Sequence, residues 1–282
     1  MRKLHKIFAE PSRELSPERV HDLRTRCYRV ESAMGALGLA DKQRGGDLVK
    51  ALEAIRKSAG KVRDADVFTG LAATIGEKGG SQSLIQLVEE LGVRRDRYAG
   101  KLERAVDRER KKAREELQHF RKRIEKQLEA SDSSDAAVWG RNAVTRSIEL
   151  TEEIAEWPKL EGDSLHPFRL KVKELRVVLQ LSPEPEQGLI NALRDVKDAI
   201  GEWHDWSELG ALVAKVFGDK DRSELSKRIR SIIEDRLHHA LALAARLREG
   251  YFGNAEAGHR GHEKHLVKIK EPVLRAAAKM AA

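Results

Sequence analysis

Apolar positions recur along this chain at helical spacing, and one arrangement of them occurs twice. Counting from His21, apolar residues stand two, six, nine and thirteen places later: Leu23, Cys27, Val30 and Met34. Counting from His166, the same offsets hold Phe168, Val172, Leu175 and Leu179. At about 100° per residue these offsets make one stripe of an α-helix. The cations fall on a neighbouring stripe: Arg24 and Arg29 behind His21, and Arg169, Lys173 and Arg176 behind His166. Each copy is therefore predicted to be a helix with one face for a core and a histidine-led basic edge. A repeated basic edge suits an anion.

Helix punctuation divides the rest. Residues 1–15 predict a short helix or arm, and Ser16-Pro17-Glu18 predicts a helix start, with Ser as cap, Pro at the first position and an acid in the first turn. That helix runs to about residue 37 and stops at Gly38. A second helix is expected over 47–60, then the segment 61–68 and a helix ending near Ile75. After a turn over 76–83, residues 84–130 read as one long helix with Gly92 and Gly100 as weak points. The polar stretch 131–135 is the candidate boundary between halves 1–135 and 136–282. In the second half, helices are expected over 136–157, from a cap at Asp163 or Ser164 to the Ser182-Pro183-Glu184-Pro185 stop, over 189–216, and over 223–248. A loop over 250–261 and a short helical tail close the chain.

A second pair of segments repeats as well. When residues 55–64 are set over 196–205, Gly60 meets Gly201, Asp64 meets Asp205, Arg56 meets Lys197 and Arg63 meets His204. Each segment trails its histidine helix by a similar distance, which argues for a two-fold internal repeat of helical hairpins.

Composition supports this reading. Of 282 residues 35% are charged and only 5% aromatic, which favours an all-α protein with long, charge-faced helices over a β-sandwich. The net charge of +8 makes polyanions the natural partners: nucleic acid, anionic membrane or a phosphate polymer. The single cysteine, Cys27, lies on the apolar stripe, so it reads as a core residue and rules out an internal disulfide. With no apolar run long enough for a signal peptide or a membrane span, a cytoplasmic location is expected.

Other candidate chemistry is weak. Arg97, Lys101, Arg104 and Arg108 form a basic edge on the long helix, read as a solvated face with local ion pairs to Glu103 and Asp107. The tail His259-Arg260-Gly261-His262-Glu263-Lys264-His265 lacks the His-Glu-x-x-His spacing of a zinc protease, and His238-His239 has no matched ligands. There is no Walker-type phosphate loop and no Ser-His-Asp ordering, so no catalytic residue, metal ligand or cofactor is assigned.

The two histidine helices, each trailed by Gly-x-x-Arg/His-Asp, resemble the CHAD family, the conserved histidine α-helical domain. The resemblance extends from about residue 13 to 247. It implies two four-helix-bundle halves related by a pseudo-two-fold, with a basic groove or channel that binds inorganic polyphosphate. The family's β-barrel triphosphate-tunnel partner is not expected, because no alternating Glu-x-Glu-x-Lys strand is found in this sequence. The family places consecutive basic residues seven and eight places after the first histidine and another at ten. Here those places hold Tyr28, Arg29 and Glu31, whereas the second copy keeps Lys173 and Arg176 with Glu174 between them. The first site is expected to be the weaker, or its anion path to be shifted.

The candidate polyphosphate contacts are thus His21, Arg24, Arg29, His166, Arg169, Lys173 and Arg176. Arg56, Arg63, Lys197 and His204 are additional basic contacts. Asp64 and Asp205 are structural, orienting neighbouring cations or capping a helix. The leading expectation is a non-enzymatic polyphosphate binder, with polyphosphate granules as its expected site. The alternatives are a helical nucleic-acid-binding protein, against which the few aromatics count, and a phosphate-polymer-processing enzyme, which needs a nucleophile or carboxylate cluster.

Overall fold

A computed structural model of the chain describes residues 2–9, 15–41, 43–76, 82–129, 134–182, 185–218 and 223–252. All regular structure among them is helical: α1 (Arg2–Ala9), α2 (Pro17–Ala36), α3 (Gln43–Gly76), α4 (Gln82–Glu129), α5 (Ser134–Ala155), α6 (Gly162–Leu179), α7 (Gln187–Phe217) and α8 (Glu224–Leu247), which runs into a π-helical turn over Arg248–Phe252. The protein is all-α. No described helix is long and apolar enough to cross a membrane.

The two apolar stripes form core faces. Leu23, Cys27, Val30 and Met34 on α2, and Phe168, Val172, Leu175 and Leu179 on α6, are all buried. The Ser16 hydroxyl accepts a hydrogen bond from the Arg19 amide at 3.3 Å, capping α2 as its sequence predicts. At the other end Gly38 has a φ of 66°, where a side chain would be strained, and the Leu39 amide bonds back to the Met34 carbonyl at 2.9 Å.

Two sequence expectations need correction. Residues 47–76 are not two helices with a break near Gly60, because α3 is continuous through 60–68. The apolar stripe explains why: Ile55, Ala59, Val62 and Ala65 stay buried across the glycine. α4 is the single long helix expected, unbroken through Gly92 and Gly100. The cap of α6 is Glu161, with Ser164 one turn inside and its hydroxyl accepting from the Glu161 amide at 2.8 Å. The expected linker at 131–133, the stop at 183–184, the turn at 219–221 and the histidine-rich tail lie outside the described residues.

The chain forms two compact units, each assembled from separated stretches. The first comprises residues 1–28, 47–118 and 202–236, and the second 29–46, 119–201 and 237–282. This division follows spatial proximity, whereas the 1–135 and 136–282 halves follow sequence similarity. In the first unit, Leu87 and Leu91 of α4 pack with Ala72 and Ile75 of α3, Leu209 of α7 and Ile229 of α8. In the second, α5 packs on α6, and Phe168 meets Trp157 edge-on with ring centroids 5.5 Å apart. Arg248 ties this corner down, donating to the carbonyls of Ala155 at 3.1 Å and Trp157 at 2.6 Å. Phe168 is fully buried. Truncating it to Ala would cost about 3–5 kcal/mol.

Candidate functional site

In the first unit, the basic edge of α2 meets the middle of α3. His21 is exposed on the first turns of α2, and Arg24, one turn on, is half-buried. The Arg24 guanidinium lies over Gly60 of α3: a Cβ added there would stand 3.5 Å from Nε. Burial, followed by the neighbouring charge of Arg63, pulls the Arg24 guanidinium below its ordinary range; Arg56 adds to the effect, and Asp64 and Asp205 oppose it. Arg24 makes no hydrogen bond or ion pair among the described residues.

Arg63 is held differently. Its two terminal nitrogens donate to the two carboxylate oxygens of Asp205 at 2.8 and 2.9 Å, and one of them also reaches Asp64 at 3.3 Å. Such a fork fixes the plane of the guanidinium as well as its position. Burial alone would lower Arg63, but the hydrogen bonds and charge of Asp205 outweigh it and hold the guanidinium above its ordinary range. Asp64 is pushed up by burial, against the pull of Arg63 and Arg24. Asp205 thus orients a cation across the two repeats, joining α3 to α7. His204, beside it on α7, stacks at a tilt against Trp203. Arg56 also lies near Glu53, at 3.9 Å.

In the second unit, α6 meets α7 in the same local pattern. Arg169 lies against Gly201: a Cβ added there would come within 2.9 Å of its Nη2 and 3.2 Å of Nε. Its Nε donates to the Lys197 carbonyl at 3.0 Å. The arginine three places after each histidine therefore crosses the glycine of the trailing segment in both copies. A helical glycine is normally a cost of about 1 kcal/mol relative to Ala; at Gly201 it provides the space the guanidinium occupies.

Arg176 is the centre of the second group. Its Nε is buried and finds no hydrogen-bond partner among the described residues. Burial, then the charges of Arg29 and Arg194, depress this guanidinium, with Asp198 opposing. Asp198 is itself paired with the Lys197 ammonium, and Arg194 with Asp195 at 3.1 Å. Lys173 and His166 are half-buried on α6, and Arg29 is exposed. Glu174, where the family pattern has a cation, accepts from Arg146 of α5 at 2.8 Å. Hydrogen bonding to Glu174 raises the Arg146 guanidinium, opposed by burial, and Glu149 and Glu153 raise it further.

The structure therefore gathers the expected contacts into two groups: Arg24, Arg56 and Arg63 with Asp64 and Asp205, and Arg29 and Arg176 with Arg169 and Lys197 nearby on their own helices. Arg29 belongs with Arg176, although it follows His21 in sequence. Sequence reasoning missed Arg194, Arg146 and Asp198. The spacing of Arg194, Lys197 and Gly201, three and four apart on one helix face, is the signal that would have found the first. On α4, Arg97, Lys101, Arg104 and Arg108 are all exposed; Arg108 bonds to Glu109 at 2.7 Å, so its partner is not Glu103 or Asp107. Among the described residues no cluster of three His, Cys, Asp or Glu side chains is arranged to hold a metal ion.

No curated protein and no solved structure matches the chain. A family model does: residues 3–214 match the CHAD domain, as the paired histidine helices and their Gly-x-x-Arg/His-Asp segments suggest. With that match covering most of its length, and with arginine laid over glycine in both copies, the chain belongs to the CHAD domain family.

Proposed function

We propose that this protein binds inorganic polyphosphate without transforming it, through the basic edges of its two histidine-led helices. The observation that carries the reading is the crowding of guanidinium groups around Arg24 and around Arg176, each pushed below its ordinary range by burial and by neighbouring arginines. Crowded, partly desolvated cations are unfavourable in the free protein and gain when a polyanion enters. Polyphosphate carries charge on every phosphate, and its non-bridging oxygens suit arginine forks and lysine ammonium groups. The buried Nε of Arg176 offers a donor to such an oxygen.

In this reading the direct contacts are His21, Arg24, Arg29, His166, Arg169, Lys173 and Arg176, with Arg56, Arg63, Lys197 and His204 adding to the field. Asp64 and Asp205 hold cations in place. The two histidine-led copies belong to four-helix-bundle halves related by a pseudo-two-fold. The protein acts in the cytoplasm, at polyphosphate granules where these form, and is not an enzyme.

A titration against polyphosphates of several lengths, with DNA at equal phosphate concentration as competitor, tests this. Affinity should rise with chain length, because a longer chain has more phosphates to engage both groups. It should fall steeply with salt, by analogy with counterion release from nucleic acids. Displacement of polyphosphate by DNA would favour the nucleic-acid reading instead. Orthophosphate release in the presence of magnesium would overturn the non-enzymatic one.

A further inference from the structure

The first unit carries a cleft of about 310 Å³ that the basic groups above do not account for. Three helices line it, each with one stripe at helical spacing: Lys61, Ala65 and Phe68 on α3, Leu91 and Tyr98 on α4, and Glu208, Ala211 and Lys215 on α7. Such stripes normally interdigitate large side chains. Here two of the lining positions are alanines, Ala65 buried at the base and Ala211 exposed at the surface. The cleft's volume is at the lower end of the range for small-molecule sites.

The lining is chemically mixed in an informative way. Phe68, Leu91 and Leu212 supply an apolar floor continuous with the core of the unit. Tyr98 supplies an aromatic ring, with the Lys61 ammonium 5.7 Å and the Lys101 ammonium 5.9 Å from its centroid. Arg94 is committed to Glu90 at 2.6 Å. Lys61 and Lys215, by contrast, make no ion pair among the described residues. Two carboxylates, Asp64 and Glu208, also face the cleft. An inorganic anion gains nothing from the apolar floor and is repelled by the acids. A hydrocarbon would leave Lys61, Lys215 and Glu208 uncompensated, since among the described residues only Asp64 of these four has an ion-pair partner, in Arg63. A ligand combining a flat apolar ring, hydroxyl or amine donors and an anionic group satisfies every part.

We propose that this cleft binds a nucleoside phosphate. Lys61 and Lys215 take its phosphate oxygens, Asp64 and Glu208 accept hydrogen bonds from its ribose hydroxyls or exocyclic amine, and its base rests on Phe68, Leu91 and Leu212 beside Tyr98. Carboxylates serve sugar hydroxyls and base amines in this way in many nucleotide sites. The proposal does not depend on polyphosphate binding, and the two fail separately.

The test is calorimetric titration of the full chain with ATP, GTP, CTP and UTP, using inorganic tripolyphosphate as the matched anion. At least one nucleotide should bind about ten-fold or more tightly than tripolyphosphate. Ala211→Phe, which fills the cleft from an exposed position, should remove that advantage, as should Lys215→Glu. Both variants should keep wild-type helical content and bind long-chain polyphosphate as the parent does. If no nucleotide outcompetes tripolyphosphate, or if the advantage survives both substitutions in folded protein, the proposal is wrong. If wild type binds nucleotide but no polyphosphate, it is the polyphosphate reading that falls.

Discussion

The two groups of cations share a plan and differ in how they are balanced. Around Arg24, two carboxylates are built in: Asp205 grips Arg63 with both oxygens, and Asp64, its side chain half-exposed, sits beside it. Around Arg176, the opposing charge is that of Asp198, which already pairs with Lys197, and Glu174 is turned to Arg146. The first group is braced by carboxylates from α3 and α7, whereas in the second Arg176 keeps a buried Nε with no hydrogen-bond partner among the described residues. Preorganisation and surplus charge are separate ways to prepare for a polyanion, and in this molecule they fall on different groups, each drawn from both copies.

The largest effect should come from removing the surplus. Replacing Arg29 and Arg176 with Glu should weaken long-chain polyphosphate binding by about a hundred-fold, as expected for two lost charge-assisted contacts. Replacing Arg24 and Arg56 with Glu makes the same change in net charge, but in a group already partly compensated, and should cost about ten-fold. Titration at fixed salt, with helical content checked by circular dichroism, compares the two. An equal or larger loss from the Arg24–Arg56 pair would sink the contrast.

The bracing should appear in stability rather than in binding. Asp205→Ala leaves the half-buried Arg63 without its fork and should cost roughly 2–3 kcal/mol of unfolding free energy. Asp198 has a side chain that is 57% exposed and pairs with a neighbour on the same turn, so Asp198→Ala should cost less than about 0.5 kcal/mol. Urea denaturation of both variants measures the difference, and comparable losses would show that the second group is braced as well.

Much of this was legible in the sequence because it is written in periodicity. The stripe from Leu23 to Met34 and its twin from Phe168 to Leu179 are buried as their spacing requires, and Ser16 and Gly38 bound α2 through local chemistry that needs no tertiary knowledge. Gly60 was misread because a glycine in a helix looks like a stop when the side chain that covers it comes from elsewhere; nothing near residue 60 announces Arg24. The grouping of Arg29 with Arg176 and of Arg63 with Asp205 was hidden for the same reason. Arg63 and Asp205 are 142 residues apart, and only packing decides which charges meet. The cleft was invisible too, since Ala65 and Ala211 look like ordinary helix formers until three helices converge on them.

The glycines offer a finer comparison. At Gly60 a new Cβ meets Arg24 at an ordinary contact distance, 3.5 Å. Gly60→Ala should therefore gain up to about 1 kcal/mol from helix propensity and leave binding unchanged. At Gly201 the Cβ would press on Nη2, Nε and Cζ of Arg169 at 2.9, 3.2 and 3.4 Å, so the whole guanidinium must move off the Lys197 carbonyl. Gly201→Ala should lose roughly 1 kcal/mol through that hydrogen bond, cancelling its propensity gain, and should weaken polyphosphate binding several-fold. Thermal unfolding and titration of the two single variants settle the matter; a Gly201→Ala protein that is both stabilised and fully competent would show that Arg169 does not need its glycine.

The smallest expected effect is a pH dependence peculiar to the first group. Burial raises the Asp64 carboxyl above its ordinary value despite the nearby Arg63 and Arg24. The folded protein therefore holds the Asp64 proton more tightly than the unfolded chain does. By linkage, the stability this group contributes is fully present below the ordinary aspartate range and is lost as pH rises through its raised folded value. Asp64→Asn keeps the shape and removes the titration, fixing the side chain in its neutral form. The variant should be slightly more stable than the parent at neutral pH, with the gap closing as pH falls into the ordinary carboxylate range. It also removes one of the two acids that temper the Arg24 group, so its polyphosphate affinity should rise modestly at neutral pH and match the parent once Asp64 is protonated. Tm and affinity measured from neutral to acid pH test both halves. A gap that widens on acidification would mean that Asp64 serves the fold as an ion-pair partner of Arg63, and that the compensation assigned to the first group is structural rather than a brake on its charge.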